Sequence, residues 1–92
     1  MADPLALPSR IELSTVSDLH DVLRKRIGPE DVLVDAGDVT HLGALGLQVL
    51  VAAAAAQRLH DAKLLITNIS DRVLDQLNTM GMTPETITEG TQ

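Results

Sequence analysis

Cysteine is absent from this sequence, and so are Phe, Trp and Tyr. Without cysteine there is no disulfide, no thiol nucleophile and no thiolate metal site. Such usage fits a reducing compartment, and a cytoplasmic location is expected. The lack of Phe, Trp and Tyr argues against nucleic-acid recognition by base stacking, and the core must be assembled from Leu, Val, Ile, Ala and Met. Cations are also scarce, seven Lys and Arg against thirteen Asp and Glu, for a formal net charge of −6. A surface of that sign repels phosphate backbones and anionic membranes at long range. The one basic cluster, Arg24-Lys25-Arg26, reads as the last turn of a helix, where the helix dipole favours positive charge. Long hydrophobic runs are missing too. The longest, Leu47 to Ala56, is broken by Gln48 and falls short of the roughly 20 residues that a bilayer span needs. Residues Met1 to Arg10 hold no apolar run preceded by positive charge, so no secretory leader is read there. The expectation is no nucleic-acid partner and no direct membrane insertion.

What the chain does have is apolar content for one small core: 92 residues, 45% of them hydrophobic, are read as one domain over 1–92 with frayed ends at 1–4 and 89–92. Leu5-Ala6-Leu7 is a candidate short edge strand limited by Pro8, and Arg10 to Leu13 a second extended piece. Val16, Leu19, Leu23 and Ile27 recur at helical steps, predicting a helix over Ser14 to Ile27. Ser14 or Ser17 is its N-cap, and Gly28-Pro29 closes it. Val32-Leu33-Val34 is apolar at successive positions, which predicts a strand covered on both faces. Val39 to Leu42 reads as an irregular link. Ala44 to about His60 is a helix with five consecutive alanines, buried on its N-terminal half; Leu50 on it and Leu33 on the strand are expected in facing buried layers. Lys63 to Thr67 is a strand. Ser70 opens a helix striped by Val73, Leu74, Leu77 and Met80 and stopped by Gly81. Thr86-Ile87-Thr88 is read as a last short strand. Strands alternating with helices imply parallel pairing through helical crossovers.

The stretch Asp35-Ala36-Gly37-Asp38-Val39-Thr40-His41-Leu42-Gly43-Ala44-Leu45-Gly46-Leu47-Gln48 follows a strand and opens a helix. It resembles the signature of the STAS family, related to bacterial anti-sigma factor antagonists: Asp-Val-Ser/Thr, two residues, Asp-Ser-Ser-Gly-Leu, then an apolar helix. Asp38-Val39-Thr40 match its start and Gly46-Leu47 its end. Leu64-Leu65-Ile66, Asn68-Ile69-Ser70 and Met80-Gly81-Met82 resemble the family's next strand, turn and helix end. The likeness spans roughly 5 to 82. It implies a STAS-type α/β domain with a four- or five-stranded mixed sheet and helices packed mainly against one face. The variant resembles stand-alone STAS proteins of alphaproteobacterial chemotaxis clusters.

Two departures bear on function. The family's phosphate-accepting serine aligns with Ala44, which has no hydroxyl, and its preceding acidic residue with Gly43. The N-terminal strands are shortened to Arg10-Ile11-Glu12-Leu13. Thr40, the nearest hydroxyl, reads as bonding local backbone and shaping the turn, with a surrogate phosphosite as the alternative. His41 reads as an exposed loop histidine, with a pH-sensitive contact as the alternative.

No metal or cofactor is expected. His20, His41 and His60 lie on different elements, and no ligand pair has helical spacing. Asp35 and Asp38 lack the further acidic pair of a receiver domain, so Asp38 is read as orienting the turn. Gly43 and Gly46 read as small residues that let a partner approach the helix start. No catalytic Ser/His/Asp set, carboxylate pair or P-loop lysine is present, and the chain is read as non-enzymatic. The resemblance implies a partner-binding surface of Thr40, His41, Gly43, Ala44, Leu45 and Gln48. It implies a partner of the histidine-kinase ATPase type, either an anti-sigma factor or a chemotaxis kinase. The alternatives are a structural subunit of a lipid-transport ATPase complex, and nucleotide or lipid binding by the domain itself.

Overall fold

Five short strands and four helices alternate along residues 4–88, the part of the chain that the computed structural model describes. Of the expected frayed ends at 1–4 and 89–92, all but Pro4 lie outside the described residues. In chain order the elements are β1 (Leu5–Ala6), β2 (Arg10–Ile11), α1 (Leu13–Arg26), β3 (Val32–Asp35), β4 (His41–Leu42), α2 (Ala44–Arg58), β5 (Leu64–Thr67), α3 (Asp71–Thr79) and α4 (Pro84–Thr88). They form a three-stranded ladder β1-β3-β5 and a two-stranded ladder β2-β4. Each described pairing is parallel, because every pair of neighbours is joined through an intervening helix and not a tight turn.

Helix α1 keeps the expected stripe, with Leu19 and Leu23 buried. Its cap is Glu12, neither Ser14 nor Ser17. The Thr15 hydroxyl accepts the Glu12 N–H at 3.1 Å and donates to the Arg10 carbonyl at 2.9 Å, a capping box that welds β2 to the helix. Arg24, Lys25 and Arg26 occupy the last turn as expected.

The sheet is covered on one face. Val32, Val34 and Leu64 are buried, but their outward neighbours Leu33 and Leu65 are half-buried and 38% exposed. This corrects the reading of β3 as covered on both faces, and it removes Leu33 from the buried layer facing Leu50. The run is apolar throughout, but the helices pack against only one side of it.

Helix α2 is buried along a continuous line: Gly46, Leu47, Leu50, Val51, Ala53, Ala54 and Gln57. Burial therefore runs its whole length and is not confined to the N-terminal half. Gln57 is fully buried and its amide is fully used. It accepts from the Gly28 N–H at 2.7 Å and donates to the Glu30 carbonyl at 2.8 Å and the Lys63 carbonyl at 3.3 Å. Ser70 caps α3 by accepting the Val73 N–H at 3.3 Å, as the sequence suggests. Gly81, with φ +75, supplies the left-handed turn after it.

Two elements differ from expectation. Residues 41–42 are a strand, β4, and not an irregular link; the ladder with Arg10 and Ile11 orders them. Thr86-Ile87-Thr88 belongs to α4 and is not a strand. There the Thr83 hydroxyl accepts the Thr86 N–H at 3.2 Å, Pro84 takes the first helical position, and Ile87 is driven into the core at 1% exposure.

Candidate partner-docking site

The segment joining β3 to α2 is built as a turn, a short strand and a helix start. Asp35, at the end of β3, accepts the Gly37 N–H at 2.8 Å and the Asn68 side-chain amide at 3.1 Å. The Gly37 N–H, then Asn68, holds its carboxyl below the usual aspartate value. Asp35 thus orients this turn, correcting the assignment of that role to Asp38. Val39 is buried and anchors the exit.

Thr40 is exposed, but its hydroxyl donates to the Ser9 carbonyl at 3.1 Å and its N–H to the same oxygen at 2.7 Å. The bond is to backbone, as read, though to the distant segment before β2 and not to the turn itself. His41 is half-buried opposite Arg10, correcting its reading as an exposed loop residue. Gly43 is the N-cap of α2 and lends it no side chain. Its N–H donates to the Ile11 carbonyl at 2.9 Å and its carbonyl accepts the Leu47 N–H at 3.0 Å. A Cβ at Gly43 would stand 3.3 Å from the Ile11 carbonyl oxygen, so the tight β2 approach favours glycine there.

Gly46 is buried. A Cβ there would overlap Ile11 Cγ2 and press on Leu42 Cδ1 at 3.1 Å. The small residue serves an internal approach of α2 to β2, so Gly46 is not a partner-facing position as the sequence reading had it.

The exposed remainder is Ala44, Leu45 at 46% exposure, and Gln48. These side chains carry no charge and no nucleophile. Beside them the end of α3 closes a trough of about 290 Å³ lined by Ala44, Leu47, Gln48, Val51, Met80, Gly81 and Met82. The two sequence motifs, the helix start and the Met-Gly-Met helix end, therefore form one surface. Each motif is visible in the sequence, but their adjacency is not.

Two participants escape sequence reasoning. Ser9 offers only its carbonyl. Gln76 of α3 accepts the Leu42 N–H at 2.6 Å and donates to the Thr40 carbonyl at 3.0 Å. An uncharged glutamine within a helix carries no motif that would announce such a role.

Among the described residues, no group of His, Asp or Glu is placed to hold a metal ion, and no helix is long and apolar enough to cross a membrane. In comparison with known protein families, the family model described as "Mlab, STAS domain" matches residues 2–88. A search of curated proteins gives no match.

Proposed function

The chain belongs to the STAS domain family, and from that premise we propose that it is a regulatory docking domain, anti-sigma factor antagonist-like, for a partner of the histidine-kinase ATPase type. The surface is the start of α2 with the loop before it: Thr40, His41, Gly43, Ala44, Leu45 and Gln48. The supporting observation is the exposed, uncharged helix start that adjoins the Met80–Met82 trough. A small side chain at that point lets a partner's backbone come close. Because position 44 has no hydroxyl, docking is not released by phosphorylation there, and control rests on partner supply or expression. Thr40, whose hydroxyl is committed to the Ser9 carbonyl, serves as a strut in this reading. A chemotaxis kinase in the cytoplasm is the finer form of the proposal.

The test places a negative charge where the family's phosphate would stand. Ala44→Glu should weaken binding to a histidine-kinase-type ATPase domain encoded beside the chain's gene at least tenfold by titration calorimetry, about 1.4 kcal/mol. Circular dichroism should stay near wild type, since a carboxylate at an exposed helix start is favoured by the dipole. Ala44→Ser should bind like wild type. Full affinity of Ala44→Glu would place the interface elsewhere.

One observation favours a second reading. A permanently docked subunit needs no release switch, and Ala44 supplies none, which suits a structural subunit of a lipid-transport ATPase complex. The two readings separate on whether the chain co-purifies stoichiometrically with transporter subunits.

A further inference from the structure

Among the described residues, strand β4 has only one neighbouring strand. On that side, the Thr40 and His41 N–H groups donate to the Ser9 carbonyl at 2.7 and 3.2 Å, and the Gly43 N–H donates to Ile11 at 2.9 Å. Its other edge presents the Thr40 carbonyl and the Leu42 N–H, the groups that point away from β2. In a parallel ladder, one residue of a neighbouring strand donates to the carbonyl before a given residue and accepts from the N–H after it. The Gln76 carboxamide does both about His41, accepting from Leu42 at 2.6 Å and donating to Thr40 at 3.0 Å.

We propose that Gln76 is the positioning residue of the docking loop, its side-chain amide standing in for one residue of a missing parallel strand on β4. Helix α3 can hold it in place because Ser70 caps its start and Val73 and Leu77 are buried on either side of the same face. The inference rests on the docking reading for its functional meaning, though not for its geometry. It also narrows the docking mode. With the Thr40 carbonyl and the Leu42 N–H both occupied, a partner could add a strand to β4 only by displacing Gln76. Recognition then falls to the side chains of the α2 start and the trough beside it.

The test is amide hydrogen exchange by NMR on Gln76→Met, which keeps the length and removes both hydrogen bonds. Gln76→Glu is the comparison, since it retains an acceptor for Leu42 but no donor for Thr40 near neutral pH. The Leu42 amide should exchange at least tenfold faster in Gln76→Met. Leu50 and Val51 in α2 should be unchanged, and Gln76→Glu should fall between Gln76→Met and wild type. Unchanged Leu42 exchange, or acceleration that tracks Leu50 and Val51 as general loss of stability would, overturns the proposal. Affinity for the same ATPase domain is read separately. A released Leu42 with undiminished affinity leaves the positioning role standing and removes the docking function from this loop.

Discussion

Gly46→Ala sets two effects of opposite sign against each other. Alanine is the better helix former by up to about 1 kcal/mol, so an exposed helical glycine would gain stability from the change. At position 46 the new methyl would overlap Ile11 Cγ2 and lie 3.1 Å from both Ile11 Cβ and Leu42 Cδ1. Ile11 cannot swing aside: it is 0% exposed, β-branched and stiff at χ1, and its strand is bonded to β4. Overpacking of this kind costs about 1–3 kcal/mol and sometimes more. The net expectation is destabilisation of about 1–2 kcal/mol, or roughly a 5–10 °C fall in Tm for a domain of this size. The chain has no aromatic residue, so unfolding in urea is followed by far-ultraviolet circular dichroism, not intrinsic fluorescence. A second substitution identifies the cause. Ile11→Leu removes the offending branch and should recover on the order of 1 kcal/mol in the Gly46→Ala background. Ile11→Val keeps Cγ2 and should recover nothing. A Gly46→Ala protein at least as stable as wild type, or equal rescue by valine, refutes the close-approach argument.

Three further outcomes follow from the core, the sheet face and the turn. Leu50→Ala should cost about 2–5 kcal/mol in urea titrations, because the side chain is buried among other core residues. Leu33→Ala should cost less, about 1 kcal/mol, since Leu33 on the outer sheet face is only part-buried; equal losses would show that the face is covered. Asp35 has its carboxyl lowered by Gly37 and Asn68. Its contribution is therefore full above the ordinary aspartate range and is lost as pH falls through the lowered native value. Asp35→Asn should accordingly lose less stability than wild type between neutral pH and strong acid, and an identical acid profile would contradict this.

The long periodic elements were readable from the sequence because many residues repeat the same signal. Leu19 and Leu23 mark α1, the alanine run marks α2, and Ser70 and Gly81 bracket α3. Two-residue strands carry no period. Residues His41 and Leu42 become a strand through partners on β2 and α3 that no local pattern reveals. Thr86-Ile87-Thr88 misleads through β-branched propensity, though the preceding Thr83-Pro84 is a helix-start signal that outweighs it. At the site, the motif locates Ala44, Leu45 and Gln48 correctly on an exposed helix start. It does not disclose that Gly46 faces inward, because a glycine reads the same whether it admits a partner or a neighbouring strand. Gln57 and Gln76 give no sequence signal for a related reason: a carboxamide becomes structural only when backbone groups from distant segments converge on it.

The all-parallel pairing has a kinetic consequence. Leu5 with Val34, Arg10 with His41 and Val32 with Leu64 are each about 30 residues apart in the chain, and the ladders described include no hairpin to nucleate the sheet cheaply. Every ladder must therefore close a long loop before its hydrogen bonds repay the lost entropy. Such a chain should fold more slowly than a helical bundle of the same length. During synthesis, β1 and β2 must wait for β3 and β4 to leave the ribosome, and β3 cannot gain its second neighbour until β5 follows. Nascent chains that stop short of β5 would then expose Val34 and Leu50 together, a surface for chaperones to hold.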